Sequence, residues 1–121
     1  MPPKGIQTYR EYAVTTQPGG KVVVMLYEGA IRFLQQAIEA LDRKDYAEKG
    51  RLINRTLDII TELDSVLNMD VGGEVALNLR KLYGFMRRHL VEANSKKDAN
   101  KIRQVIRLLE NLLEGWRQIA A

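Results

Sequence analysis

The sequence predicts an all-α protein: an up-down-up-down antiparallel four-helix bundle preceded by an N-terminal arm. Three observations predict it. Four long stretches carry apolar residues at the three- and four-residue spacing of a helix face. The breaks between them span only about two to six residues, which join antiparallel neighbours and little else. No segment keeps the strict alternation of a half-buried strand.

Residues 1–17 read as the arm. Pro2, Pro3 and Gly5 oppose regular structure, yet Ile6, Tyr9, Tyr12 and Val14 are too apolar for an inert tail. Ile6, Tyr9 and Tyr12 fall at i, i+3 and i+6, enough for a short amphipathic helix that is stable only when docked on the bundle. Residues 18–121 read as the bundle itself, one domain, with helices at about 18–43, 45–67, 73–94 and 98–120.

The first helix opens at Pro18, where the missing N–H costs nothing, although Gln17 is a poor cap, Thr16 an alternative one, and Gly19-Gly20 weakens the first turn. Its stretch from Val22 to Leu41, VVVMLYEGAIRFLQQAIEAL, organises the chain. Val23, Tyr27, Ala30, Ile31, Leu34, Ala37, Ile38 and Leu41 form one stripe, and Val22, Leu26, Gly29, Phe33 and Ala40 form a second row beside it. One neighbouring layer cannot cover both.

Asp45 is expected to cap the second helix, whose apolar face runs from Leu52 to Leu67. The run from Asn68 to Gly73 breaks it, with Asp70 or a glycine at the next cap. The third helix carries Val75, Leu79, Leu82, Met86, Leu90 and Ala93 inward and ends with Asn94 in the left-handed position that follows a helix. Asp98 caps the fourth, whose stripe is Ile102, Val105, Ile106, Leu109, Leu112, Leu113, Trp116 and Ile119. The turns Arg43-Lys44-Asp45 and Lys96-Lys97-Asp98 look alike.

Bulk composition narrows the function classes. The 121 residues contain no cysteine, so neither a disulfide framework nor a thiolate metal site or thiol nucleophile is available. The formal charge of +4 is spread along the helices with no basic block, so no nucleic-acid partner is expected. The start MPPKGIQTYREY lacks the apolar core of a signal peptide, and no apolar run is long enough to span a bilayer. The expectation is a cytoplasmic protein without stable membrane insertion.

Catalytic constellations are weak. His89 is the sole histidine, and an exposed histidine on a four-helix bundle is the feature of a phosphotransfer domain; its run Arg87-Arg88-His89-Leu90-Val91-Glu92 lacks the small residues and lysine that such a site uses to hold phosphate. Met86, not a glutamate, stands three before His89, so the Glu-x-x-His metal pattern is missing. The pairs Asp58/Glu62 and Glu110/Glu114 read as solvated faces. Ser95 lies in a cap-like turn, and Gly72-Gly73-Glu74 has neither the strand nor the lysine of a phosphate loop. The chain is not expected to be an enzyme, nor to hold a metal or cofactor.

What stands out is apolar residue in excess. With the inner stripes assigned, Leu26, Phe33, Leu52, Ile59, Val66, Leu77, Phe85 and Leu108 remain on flanking positions. Such a surplus marks an interaction surface, of the kind that takes a helix into a groove.

These residues resemble a known family. Met25 to Leu34, reading MLYEGAIRFL, is similar to the first-helix signature of the flagellar secretion chaperones called FliS. The likeness continues through Gly72-Gly73-Glu74-Val75-Ala76, Leu82-Tyr83, Met86, Leu90 and Glu92-Ala93-Asn94 to Trp116, and the arm resembles the family's too, with Tyr9 and Tyr12 ahead of Thr15 to Pro18. It departs at Gln17-Pro18-Gly19-Gly20, where the family has Ser or Thr before the proline.

The resemblance implies a cytoplasmic flagellar export chaperone. Such a protein binds the disordered C-terminal segment of flagellin, keeps it from polymerising early and aids its delivery to components of the flagellar type III export gate. It implies a client groove, for which Leu26, Tyr27, Gly29 and Phe33 on the first helix, Ile59 and Val66 on the second and Leu108 on the fourth are the candidates. Ile6, Tyr9 and Tyr12 would act as a lid that covers apolar surface in the free protein, a monomer or weakly self-associating species. Two other readings compete: a phosphotransfer-like signalling bundle using His89, and an oligomer that buries the same surface against itself.

Overall fold

The computed structural model describes residues 19–120, with side chains for residues 19–118. The expected arm, with Ile6, Tyr9 and Tyr12, lies outside the described residues, as does Pro18. Four helices make up the described chain: α1 (Gly20–Asp42), α2 (Tyr46–Ser65), α3 (Met69–Lys96) and α4 (Ala99–Ala120). No strand occurs among the described residues, and none of the helices is long and apolar enough to cross a membrane.

Each helix has two neighbours. α1 packs on α2 and α4, and α3 packs on the same two, so the four form a ring with α1 diagonal to α3. Polar contacts fix how neighbours run. Lys49 at the start of α2 reaches Asn94 near the end of α3, while Asp64 near the end of α2 meets Arg80 at 3.2 Å. Glu92 pairs with Lys101 at 3.4 Å across α3 and α4, and Glu28 pairs with Arg117 at 3.2 Å across α1 and α4.

The core follows the helical stripes. Val23, Tyr27, Ala30, Leu34 and Ala37 of α1 are fully buried, as are Ile53, Ile60 and Leu63 of α2 and Ile102, Val105, Leu109 and Trp116 of α4. Each large side chain withdrawn from water in this way contributes roughly 1.5–3 kcal/mol. The inner row of α3 differs from expectation. Ala76 and Tyr83 are fully buried where the spacing places Val75 and Leu82, and the latter two are only half-buried at the edge. The small Ala76 lets the helix approach closely, and the Tyr83 hydroxyl finds a hydroxyl partner inside, on Tyr27. Leu52, expected on a flank, is buried.

The two similar turns are indeed one structure used twice. Lys44 and Lys97 adopt left-handed backbone with φ of 60° and 55°. The next N–H, of Asp45 or Asp98, donates back to the carbonyl of Ala40 (2.8 Å) or Ala93 (3.0 Å), which closes the preceding helix. The same aspartates then open the following helix: Asp45 Oδ1 accepts from the Glu48 N–H, and Asp98 Oδ1 from those of Asn100 and Lys101. Asn94 is therefore not the residue that ends α3. The helix continues to Lys96, and the Asn94 Oδ1 and carbonyl instead accept from Lys49 Nζ at 2.6 and 2.9 Å.

The connection between α2 and α3 is built differently. Asn68, rather than Asp70 or a glycine, is the cap, its Oδ1 accepting from the Val71 N–H at 3.2 Å. One turn follows before Gly73, with φ 54° and ψ −131°, interrupts the helix. That backbone favours glycine, because a Cβ would clash with its own main chain. At the start of α1, Gly19 is the cap residue and supplies no side-chain hydrogen bond.

Candidate functional site

The second row of α1 faces α2. Val22, Leu26, Gly29 and Phe33 follow each other at steps of four, three and four, so they share one side of the helix. A Cβ added at Gly29 would lie 3.7 Å from Ile59 Cδ1, which pins that side against α2. Ile59 shares its row with Leu52 and Val66, seven residues away on either side. From the Gly29–Ile59 contact the antiparallel register carries Leu26 and Val22 toward Val66, and Phe33 toward Leu52.

The result is a shallow apolar seam. Leu26, Phe33 and Ile59 are half-buried and rest on the core, and Val66 is half-buried as well. Near the Gly19 end the seam opens: Val22 is 48% exposed and Met25 68%. These two residues widen the candidate set. The signal for Val22 is its place in the second row; Met25 belongs to neither row, and only the apolar run around it points there.

Five of the seven candidate groove residues thus come together: Leu26, Gly29, Phe33, Ile59 and Val66. Tyr27 does not join them. It is fully buried, its hydroxyl 2.5 Å from that of Tyr83 and its ring 6.5 Å from Trp116, so it is a core residue. Leu108 lies elsewhere. On α4 it sits one turn from Gln104, which bonds His89 of α3, and so belongs to the α3–α4 seam on the far side of the ring.

A polar groove lies between α1 and α4, lined by Glu28, Arg32, Gln35, Glu110, Glu114 and Arg117 above Ile31 and Leu113. Its three carboxylates and two guanidiniums include the Glu28–Arg117 pair. Among the described residues no group of three or more histidine, aspartate or glutamate side chains could hold a metal ion. His89 is half-buried, its ring stacked on Phe85 at 4.8 Å and its Nε2 bonded to Gln104.

Electrostatics near the tight turns is local. Burial pushes the Lys49 amine below the usual lysine range, and the charge of Lys97 adds to this. Glu92 is held below the ordinary glutamate value by its hydrogen bond from Lys96 and by Lys101. Neither group faces the α1–α2 seam.

Comparison with known proteins places this geometry in context. A family model described as flagellar protein FliS matches residues 3–121. The chain is 36% identical over 121 residues to the flagellar secretion chaperone FliS of Salmonella typhimurium, covering 96% of this chain and 90% of that protein. It is 36% identical over 118 residues to the flagellar secretion chaperone FliS of Vibrio cholerae, covering 94% and 87%. It is 33% identical over 121 residues to the flagellar secretion chaperone FliSB of Pseudomonas aeruginosa, covering 97% and 96%.

Proposed function

Because this chain belongs to the FliS flagellar protein family, we propose that it is a flagellar export chaperone whose client is the disordered C-terminal segment of flagellin. It acts in the cytoplasm and by binding alone, with no catalytic step. The client folds as it binds, laying the apolar face of a short helix along the α1–α2 seam. Occupied in this way, the segment cannot pair with other flagellin chains, and the complex is handed to the export gate.

One observation carries the reading: Leu26, Phe33, Ile59 and Val66 are all half-buried on the sides of α1 and α2 that meet at Gly29 and Ile59, with Val22 exposed beside them. A monomer gains little from leaving such a strip at its surface, whereas a helix laid on it completes the burial. Each large apolar side chain fully covered adds roughly 1.5–3 kcal/mol, against the ordering cost of the client. Residues 1–17, with Ile6, Tyr9 and Tyr12, serve as a lid that the client displaces; a tyrosine suits this role because its ring packs while its phenol tolerates water.

The test is calorimetric titration with a peptide copying the last ~40–50 residues of a flagellin, read at several temperatures. Binding with a large negative heat-capacity change supports coupled folding onto apolar surface. Phe33→Glu should weaken it by about ten- to hundredfold while helix content stays unchanged. No binding by the unaltered protein would overturn the proposal.

A further inference from the structure

Resting on the reading just given, we infer that Arg32 is a specificity-determining residue of the α1–α2 seam and that its guanidinium receives a carboxylate of the client. Two side chains close on the place where a Cβ on Gly29 would stand: Ile59 Cδ1 of α2 at 3.7 Å and Arg32 Nη2 of α1 at 4.0 Å. Gly29 is buried and Arg32 is exposed, so the guanidinium stands at the rim of the seam, beside the point where the two helices meet. A long side chain on a helix leans toward the N-terminal turn, and the bare Cα of Gly29 leaves it room to do so here.

The charge at this rim is open. A glutamate four residues before an arginine is the favoured partner on a helix, and Glu28 holds that place for Arg32. Glu28 pairs instead with Arg117 of α4, at 3.2 Å. Glu110 and Glu114 of α4 line the polar groove that Arg32 also borders, and Asp58 and Glu62 of α2 stand one residue before Ile59 and three after it. None of these carboxylates pairs with Arg32, which has no ion pair among the described residues. Position along the seam matters as well. The antiparallel register that sets Gly29 beside Ile59 carries Arg55, likewise without an ion pair, to the level of Phe33, and Glu62 to the level of Leu26. Asp58, adjacent to Ile59 in the chain, points to another side of α2. The two arginines thus border the middle of the seam, and Glu62 lies about a turn nearer its open end.

Apolar contact alone leaves the register of a client undecided. Val22, Leu26, Gly29 and Phe33 repeat at steps of four, three and four, so an amphipathic helix slid by one turn meets a similar floor. A charge at one fixed height breaks that degeneracy. Arginine suits the task because its planar fork takes both oxygens of a carboxylate in parallel hydrogen bonds. In the free protein the exposed guanidinium is satisfied by water. A helix laid over Leu26, Phe33 and Ile59 withdraws it in part from that water. A client carboxylate at this height is then favoured, an apolar residue leaves the cation unmatched, and a lysine is repelled. Arg32 thereby fixes where along the seam the client comes to rest.

The experiment titrates the full-length protein with the same flagellin peptide. Arg32→Gln should weaken binding about tenfold and Arg32→Glu more, with helix content and urea midpoint unchanged, because the side chain is exposed. Arg32→Lys, which keeps the charge without the fork, should fall between the unaltered protein and Arg32→Gln. In a parallel set each Asp and Glu of the peptide is exchanged in turn for Asn or Gln. One of these peptides should bind the unaltered protein about tenfold more weakly and lose nothing further against Arg32→Gln. A lysine at that same peptide position should restore binding to Arg32→Glu. Affinity unchanged by Arg32→Gln, or a loss that couples to no position of the peptide, would overturn the assignment; a loss on Phe33→Glu in the same series would leave the seam itself standing. No binding by the unaltered protein would overturn both.

Discussion

The hydroxyls of Tyr27 and Tyr83 lie 2.5 Å apart in the core, joining α1 to α3, the two helices that face each other across the diagonal. Replacing either by phenylalanine removes a buried hydrogen bond worth about 1 kcal/mol. Replacing both removes the shared bond once, so the double variant should lose less than the two singles added together. Urea unfolding of the three variants measures this; strict additivity would show that the two phenols are not coupled.

Gly29 holds the α1–α2 seam open. An added methyl would meet Ile59 at ordinary contact distance, so Gly29→Ala fits, and it should stabilise the helix by up to ~1 kcal/mol. The same methyl makes the seam shallower where the client is proposed to lie. The variant is expected to unfold at higher urea and yet to bind the flagellin peptide more weakly. A stabilised variant with unchanged binding would place the client off Gly29.

The repeated turns invite a paired comparison. Lys44 and Lys97 both hold left-handed backbone at a cost that glycine would not carry, so Lys44→Gly should stabilise by roughly 0.5–1 kcal/mol. Lys97 also sets its ammonium 3.9 Å over the Tyr46 ring, and Lys97→Gly removes that cation–π attraction. The second variant should therefore gain less than the first. Thermal unfolding of the two, at the same pH and salt, decides the order.

Lys49 links stability to pH. Its amine is pushed below the ordinary value of 10.5, chiefly by burial, so the unfolded chain holds that proton more tightly than the folded one. Stability from this group rises with pH between the lowered folded value and the unfolded one. Compared with Lys49→Met, which cannot titrate, the unaltered protein should gain stability as pH is raised from about 7 to about 10. A difference that stays flat would show the amine to be as well solvated as in the open chain.

Much of this is legible in the chain itself. The stripe of α1, the caps Asp45 and Asp98 and the likeness of the two turns all depend on neighbours within a few residues, and local spacing reports such neighbours well. Spacing puts Tyr27 in the inner stripe, where it lies, but what meets its phenol, Tyr83, is 56 residues away, and a helix face does not name that partner. Which seam Leu108 borders is hidden for a related reason. It flanks an inner stripe, and which flank faces which neighbour is decided by the register of whole helices against each other. Asn94 has the residue type that ends helices, but its side chain is engaged by Lys49.

Both tight turns, at Lys44 and Lys97, sit at one end of the bundle, joined by the Tyr46–Lys97 and Lys49–Asn94 contacts. The uncapped Gly19 and the break at Gly73 belong to the other end. The two halves are therefore tied differently, one by its tight turns and these contacts, the other by the ion pairs Asp64–Arg80 and Glu28–Arg117. Local opening of α1 from α2 is expected to begin near Val22 and Val66, farthest from the turn that joins the two helices. Residues 1–18 join the chain at that same end. If the client proposed above enters there, it starts beside the tether of the proposed lid and zips inward toward the turn between α1 and α2.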